Sequence, residues 1–360
     1  MRLLIATDAW HPQVNGVVRS LEETSSVLPE FGIEPELLTP SRFRTVPLPT
    51  YKEIRVALAH SLGVGRIIEA GRFDAIHIAT EGPVGMATRR ACLDRGLTFT
   101  TSYHTRFPEY LRARTALPLG ISYAWLRRFH NAGAATMVST ASLRAELAGR
   151  GFNRLVAWSR GVDTNLFRPR ARDALDLPGP IFLYVGRLAV EKNVGAFLGL
   201  DLPGTKVVVG DGPDRAALAA RHPDAVFLGL KTGEELARIY AAADAFVFPS
   251  LTDTFGLVLL EALACGVPVA AFPVAGPVDV VGHAPVGVLD NDLRQAALAA
   301  LAIPRDRCRE FAVGRSWRKC AAEFTAHLAP TRGAASSATA RTKGGQDARF
   351  AAARPSPSGT

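Results

Sequence analysis

Long apolar runs are missing from this chain. None of its 360 residues belongs to an uninterrupted apolar stretch of the roughly 18 residues that a membrane-spanning helix needs. Cysteine is scarce too, and Cys92, Cys265, Cys308 and Cys320 show no paired close spacing. That argues against a disulfide framework or a zinc site and for free thiols in a reducing cytoplasm. The opening MRLLIATDAWHP lacks a charged region followed by a long apolar segment and a small-residue cleavage site. It reads as a first β-strand, not as a secretion signal. No G-x-G-x-x-G fingerprint is present, which removes the main support for a dinucleotide-dependent oxidoreductase.

What is present is the composition of a folded protein, 48% hydrophobic and 21% charged. The formal charge of +9 favours anionic partners: nucleotide phosphates, nucleic acid or an acidic membrane surface. Short apolar runs alternate with amphipathic segments. Strands are expected at Leu3–Ala6, Pro35–Leu38, Ala75–Ile78, Thr98–Thr101, Thr136–Ser139 and Leu155–Trp158. A second series follows at Ile181–Val185, Lys206–Val209, Ala225–Leu228, Ala245–Phe248 and Val267–Phe272. Strands apolar on both faces and separated by helices imply parallel sheets covered on both sides. Two such series imply an α/β protein of two doubly wound, Rossmann-like domains.

The proline- and charge-rich stretch Arg168–Pro180 interrupts the pattern. The expected division is residues 1–167 for the first domain and 168–312 for the second. A helix over 313–329 with an apolar face is suited to return to the first domain, and 330–360 form a basic tail without apolar periodicity, expected to be disordered.

Chemistry concentrates at strand ends. In FPSLTDTFGLVLLEALACGVP, Phe248–Pro268, a strand gives way to a polar loop holding Asp253 and Gly256. A helix then carries Glu261, eight residues after Asp253. Ligands of α/β sheets bind outside the carboxyl ends of strands, where helix N-termini attract phosphates. A carboxylate there can accept two hydroxyl hydrogen bonds from a sugar or ribose. For Glu261 alone, an acid that merely suits the helix dipole explains as much. In VGRLAVEKNV, Arg187 and Lys192 flank a turn after another strand. Two cations there would offset the charge on a departing diphosphate, although single surface cations are commonly just solvated. The glycine turn in VVVGDGPDR reads as structural.

Gly16, at a helix start after the first strand, lets a phosphate approach backbone N–H groups. His104, in TSYHTRFPEY, lies at a further strand end, where it can meet a sugar hydroxyl or handle a proton. No D-x-D pair stands at a strand end suited to clamp a metal against a diphosphate, so catalysis without a divalent ion is expected.

Taken together, these motifs resemble the retaining GT-B glycosyltransferases of family 4, over roughly residues 1 to 328. Those enzymes carry an E-x7-E element, a G-R-x(4)-K element, a glycine loop after the first strand and a histidine in the N-terminal domain. The resemblance implies that Arg187 and Lys192 contact the donor diphosphate, Glu261 the ribose hydroxyls and Asp253 the transferred sugar. Gly16 would sit against the phosphates, Phe255 and Gly256 would complete the donor site, and His104 would lie beside the reacting sugar. Here the first acid is Asp253, one methylene shorter than glutamate. The phrases TDAWHPQVNGVVR, YHTRFPEY, SRGVDTNLFRP and TDTFG are similar to a bacterial subgroup of lipid glycosyltransferases. That subgroup includes mannosyltransferases, sulfoquinovosyltransferases and enzymes that glycosylate diacylglycerol. Arg160 and Asp163 match an element near the interdomain crevice.

The implied activity is transfer of a hexose from a UDP- or GDP-sugar, as co-substrate without a further cofactor, to a hydroxyl acceptor. A membrane lipid such as diacylglycerol is the implied acceptor, with a mannosyl transfer to a glycan or glycolipid as the alternative. Residues 106–130 interleave Arg106, Arg112, Arg114, Arg127 and Arg128 with aromatics. The segment fits the interface of an acidic bilayer as well as it fits a helix pair with its aromatics packed inside, so a cytoplasmic protein peripheral to the membrane is expected. Pro118 breaks the segment and argues against one long membrane-lying helix. Nucleic-acid binding accounts for the charge but for none of the paired motifs. A sugar-nucleotide epimerase or a non-catalytic sugar-nucleotide or lipid-binding protein remain the readings from other classes.

Overall fold

The computed structural model describes residues 1–331 apart from Val14, Pro49, Thr50 and Ala116. The residues beyond Thr331, which include nearly all of the basic tail, lie outside the described part. Two six-stranded parallel sheets form the framework. The first holds β1 (Arg2–Ala6), β2 (Glu34–Leu38), β5 (Ala75–Ile78), β6 (Thr100–Tyr103), β7 (Thr136–Val138) and β8 (Leu155–Ala157) in the order β2-β1-β5-β6-β7-β8. An antiparallel hairpin of β3 (Thr45–Leu48) and β4 (Tyr51–Ala57) stands outside it. The second sheet holds β9 (Ile181–Val185), β10 (Thr205–Val209), β11 (Val226–Gly229), β12 (Ala245–Phe248), β13 (Val269–Ala271) and β14 (Gly287–Leu289), ordered β11-β10-β9-β12-β13-β14.

Alternation along the strands divides each core in two. In β1, Leu4 and Ala6 face one cluster with Ile76 and Ile78, while Leu3 and Ile5 face another with Met137 and Trp158. In β9, Leu183 and Val185 pack with Phe246 and Phe248, and Phe182 and Tyr184 pack with Val208 and Val247. Burial on both faces is what parallel strands require, because crossover helices cover both sides. Val162 and Phe167 belong to the second core, so the chain has passed from the first core to the second before the proline-rich stretch begins.

The last helices tie the halves together. The helix Arg305–Val313 packs on the helix Leu257–Ala264, and the helix Trp317–Ala326 packs on Gly16–Val27 of the first half. Its Trp317, Cys320 and Phe324 fill the same cluster as Leu3, Ile5 and Trp158. Phe324 is fully buried there, and its truncation to alanine costs about 3–5 kcal/mol. Beyond that helix, Thr331 exchanges backbone hydrogen bonds with Asp74 and Thr98.

Strand order places the ligand crevices. The first sheet changes direction between β1 and β5, the second between β9 and β12. The crevice outside the carboxyl ends at such a switch point is where open α/β sheets bind ligands.

Candidate active site

The loops after β9 and β12 meet at the second switch point. After β9, Val190–Lys192 make one tight turn that closes on Asn193, whose φ of 52° is left-handed. Asn193 Nδ2 donates to the Pro249 carbonyl at 3.1 Å. The hydroxyls of Ser250 and Thr252 donate to the Glu191 carbonyl, each at 3.4 Å. These contacts lock the two loops together and deliver Lys192 to Asp253, where Nζ pairs with Oδ1. The other carboxylate oxygen, Asp253 Oδ2, is buried and has no hydrogen-bond partner. Burial alone would lower the Lys192 pKa, but the Asp253 carboxylate and the Tyr110 side chain outweigh it and hold the ammonium above its ordinary value. Arg187 leaves the end of β9 just before this turn, with its carbonyl accepting the Tyr184 hydroxyl at 3.0 Å.

Gly256, at φ 83°, starts the helix Leu257–Ala264 in a conformation that suits glycine. A Cβ on Gly276 would lie 3.0 Å from the Asp253 carbonyl and 3.2 Å from that of Phe255. A bare backbone at Gly276 therefore supports the acid loop from below. Glu261 sits inside the helix, 4% exposed. Its Oε2 accepts the Tyr240 hydroxyl at 3.1 Å, and its Oε1 pairs with Arg19 Nη1 at 2.8 Å. Arg19 comes from the first turn of Gly16–Val27, so this ion pair spans the cleft. Gly16 stands at the exposed start of that helix, where Asn15 Oδ1 accepts from Val17 and Val18 N–H. An added Cβ there would meet Leu257 Cδ1 at 3.7 Å, an ordinary contact. In the GDG turn, Cβ atoms on Gly210 and Gly212 would strike the carbonyls of Gly186 and Leu188 at 1.9 and 2.3 Å. Those glycines allow close packing against the loop after β9.

His104 follows β6. Its backbone carbonyl accepts the Thr254 hydroxyl at 2.7 Å, and Ser139 Oγ donates to the Thr254 carbonyl at 3.4 Å. The His104 ring is fully engaged: Nδ1 lies 3.1 Å from Arg160 Nη2 and Nε2 lies 2.8 Å from Ser102 Oγ. Burial and the Arg160 guanidinium hold its pKa well below the usual histidine range. Phe255, partly buried, borders an interdomain cavity of about 350 Å³ that also touches Ser139, Arg160, Asp279, Lys319 and Glu323.

The structure thus gathers Lys192, Asp253, Phe255, Gly256 and Glu261 around one crevice with Arg187 at its strand end, and brings Gly16 and His104 to the facing wall. Two contributors, Arg19 and Tyr110, escaped the sequence reading as site residues, and for Arg160 the resemblance gave a place near the crevice but no partner. Arg19 reaches Glu261. Tyr110, on the helix Phe107–Arg114, hydrogen-bonds the Thr252 side chain and lies close to Lys192 and Asp253. Arg160 holds His104. Each comes from a distant segment, and no local spacing announces it. The single D-x-D of the sequence, Asp290 and Asp292, follows the edge strand β14, away from the switch point. Asp292 caps a helix there by accepting from Gln295 N–H. Among the described residues no group of three His, Cys, Asp or Glu side chains is arranged to hold a metal ion.

Comparison with known proteins fits this geometry. The family model described as Glycosyltransferase Family 4 matches residues 14–166, and the one described as Glycosyl transferases group 1 matches residues 179–305. A GDP-mannose-dependent alpha-mannosyltransferase of Mycobacterium tuberculosis (strain CDC 1551 / Oshkosh) is 31% identical, over 92% of this chain and 97% of its own. The sulfoquinovosyl transferase SQD2 of Arabidopsis thaliana is 33% identical over 66% of this chain and 50% of its own. Among solved structures, Anabaena Alr3699/HepE in complex with UDP and glucose superimposes with a TM-score of 0.68 at 15% identity, covering 91% of this chain and 98% of that one. Sucrose-phosphate synthase from Thermosynechococcus elongatus reaches 0.72 at 20% identity, covering 90% and 97%. Two facing parallel-sheet domains with this crevice define a nucleotide-sugar glycosyltransferase of the GT-B fold. The chain belongs to glycosyltransferase family 4.

Proposed function

We propose that the chain transfers a hexosyl group, with retention at the anomeric carbon, from a nucleoside-diphosphate sugar to a hydroxyl of a membrane lipid. The observation that carries this reading is the Lys192–Asp253 pair in the turn that follows Arg187, with Asp253 Oδ2 buried and unpartnered. A sugar hydroxyl supplies the donor that this oxygen lacks, since a buried carboxylate oxygen without a partner is costly. Lys192 and Arg187 then lie on the diphosphate side, and Glu261 accepts the ribose hydroxyls next to them. The acceptor oxygen bonds to the anomeric carbon on the face from which the diphosphate leaves. The bond from that carbon to the phosphate oxygen breaks, and the acceptor proton passes to the departing phosphate. Glycoside and nucleoside diphosphate are the products. The two cations stabilise the leaving charge in place of a divalent ion, and activity is expected to persist in a chelator.

The relatives named for GDP-mannose favour GDP-mannose over UDP-hexoses as donor. Lipid transfer is favoured by the helices Phe107–Arg114 and Leu119–His130. Tyr123, Leu126 and Phe129 pack inside, whereas Phe107, Leu117, Ile121 and Trp125 remain exposed. Positions 121, 125 and 128 fall on one face of the helix Leu119–His130, so Ile121 and Trp125 form a stripe that ends at exposed Arg128, with exposed Leu117 just before the helix. Apolar side chains flanked by arginine suit the interface of an anionic bilayer. No helix among the described residues is long and apolar enough to cross a membrane, and this face would bring the cleft to the lipid. A panel of labelled UDP- and GDP-hexoses, incubated with membranes and with diacylglycerol, tests the assignment. Label in the organic extract from GDP-mannose supports it, and label only in water-soluble product rejects the lipid acceptor.

A further inference from the structure

A line of buried polar groups runs behind the proposed sugar site, and the transfer chemistry above leaves it unused. Arg160 is 6% exposed and carries no carboxylate partner at hydrogen-bond distance among the described residues. Its Nη1 donates to the carbonyls of Trp158 at 2.7 Å and Ser159 at 2.8 Å, and the guanidinium lies 4.1 Å from the Trp158 ring centroid. Its Nη2 faces His104 Nδ1 at 3.1 Å. Behind His104 stand Ser102, His77 and Thr100, linked Ser102 Oγ to His77 Nε2 at 3.1 Å and His77 Nδ1 to Thr100 Oγ1 at 2.9 Å.

A guanidinium has no acceptor, so the 3.1 Å contact has one polarity: Arg160 donates, and Nδ1 of His104 must carry a free lone pair. The His104 proton therefore sits on Nε2 and is given to Ser102 Oγ, 2.8 Å away. Ser102 passes its own hydrogen to Ala79 O at 3.3 Å or to His77. Protonating His104 would place a second N–H against an N–H of a buried cation. The charged and titratable groups facing His104 are Arg160 after β8, His77 on β5 and His130 on the helix Leu119–His130; none is an acid. Among the described residues, the carboxylate near the far side of Arg160 is Glu323, which accepts Ser159 N–H at 2.8 Å.

We propose that Arg160 is the positioning residue of this site: it locks His104 as a neutral imidazole with its proton on Nε2, a fixed and uncharged wall for the transferred sugar. The inference rests on the reading that the sugar lies beside Thr254, whose hydroxyl is held by the His104 carbonyl. The purpose follows from the charge that builds during transfer. The anomeric carbon becomes positive as the diphosphate departs, as in other glycosyl transition states, and an imidazolium at its side would oppose that change. His104 thereby acts as a wall and not as a proton carrier.

Selective 15N-histidine labelling of the full chain, read by long-range 1H–15N spectra, tests this without any substrate. The expected wild-type result is a neutral His104 with protonated Nε2 and a hydrogen-bonded Nδ1 from pH 5.5 to 8. In Arg160→Met the Nδ1 signal should lose its hydrogen-bonded position, and His104 should begin to titrate toward the ordinary value of about 6.5. Transfer kinetics then give a second readout. At pH 5.5 a histidine of pKa 6.5 is neutral in only about one molecule in eleven. kcat of Arg160→Met at that pH should therefore fall by up to about tenfold relative to pH 8, with the donor KM unchanged. Arg160→Lys should restore the wild-type profile, and Arg160→Gln, which keeps an amide donor without charge, covers the case in which the methionine variant fails to fold. Wild-type titration of His104 between pH 6 and 7 would overturn the proposal. Variants whose His104 signals and pH profiles match the wild type would do the same. Because the spectra need no turnover, failure of the donor assignment and failure of the Arg160 role remain separate outcomes.

Discussion

Replacing Lys192 with methionine isolates the charge at the switch point from the shape around it. Methionine keeps most of the length of the side chain and removes the ammonium. Two effects have to be weighed. The pair with Asp253 is mostly buried, its side chains 22% and 15% exposed, so removing one partner strands a carboxylate. A fully buried pair would cost about 3–5 kcal/mol when broken this way, and the remaining exposure screens that to about 1–2 kcal/mol. Against a total stability of about 5–15 kcal/mol, such a loss leaves nearly every molecule folded. Loss of one charge-stabilising group from a transition state costs about 2.7–4 kcal/mol, a fall in kcat of about 10²–10³. The catalytic effect therefore exceeds anything that unfolding explains. Initial-rate measurements of nucleoside diphosphate release, alongside chemical denaturation of the same preparation, separate the two. Lys192→Arg should recover part of the rate, whereas Lys192→Met within threefold of wild type would refute the assignment of Lys192 to the diphosphate.

Other perturbations reach other parts of the account. Glu261→Gln removes the carboxylate that holds both Arg19 and the Tyr240 hydroxyl; calorimetric titration should show nucleoside diphosphate binding weakened about tenfold, since a hydrogen bond to a charged group is worth about 1.5–3 kcal/mol, and unchanged affinity would exclude Glu261 from ribose recognition. Ile121→Ser combined with Trp125→Ser strips the exposed stripe; cosedimentation with anionic vesicles should drop by about tenfold or more, from about 1 kcal/mol per half-exposed apolar side chain, while turnover of a soluble acceptor stays constant. Stability should also fall with acid in a defined window. His77 is buried and its pKa is pushed down to about 3 by that burial and by Arg160, so the unfolded chain takes up a proton at about 6.5 that the folded chain refuses until about 3. The contribution is fully present above pH 6.5 and is lost at about 1.4 kcal/mol per pH unit below it; His104, held neutral in the same way, adds to the fall, so denaturation midpoints between pH 7 and 5 should drop at least this steeply and His77→Gln should lessen the slope without abolishing it.

Much of the fold is legible because parallel strands are apolar on both faces. Ile181–Val185 and Ala245–Phe248 announce themselves through hydropathy alone, and parallel sheets covered on both sides then follow from the alternation with helices. The elements that escape do so for physical reasons. β3 and β4 pair only with each other, outside both sheets, and β14 contributes only three residues to an edge. The expected strand Thr98–Thr101 lies two residues early, because β6 buries Thr100 and Ser102 as hydrogen-bond partners of His77. Polar residues in a sheet interior carry no hydropathy signal. The site divides in the same way. Arg187, Lys192, Asp253 and Glu261 sit at local spacings next to strand ends, so their convergence can be read from sequence. Arg19 and Tyr110 gain their roles from the facing of two domains, and Arg160 gains its partner from the folding of the first sheet, which brings the loop after β8 to the loop after β6. His104 is legible by position, but its use of both ring nitrogens is a tertiary property.

The central claim is that the crevice after β9 and β12 separates a hexosyl group from a nucleoside diphosphate without a metal. The most direct measurement follows GDP-mannose and the UDP-hexoses in excess chelator, recording nucleoside diphosphate release and the anomeric configuration of the extracted product by NMR. The account predicts equal amounts of diphosphate and α-glycoside, formed with retention and unaffected by the chelator. Inversion at the anomeric carbon, appearance of an isomeric nucleotide sugar without transfer, or activity that returns only with a divalent ion would contradict it.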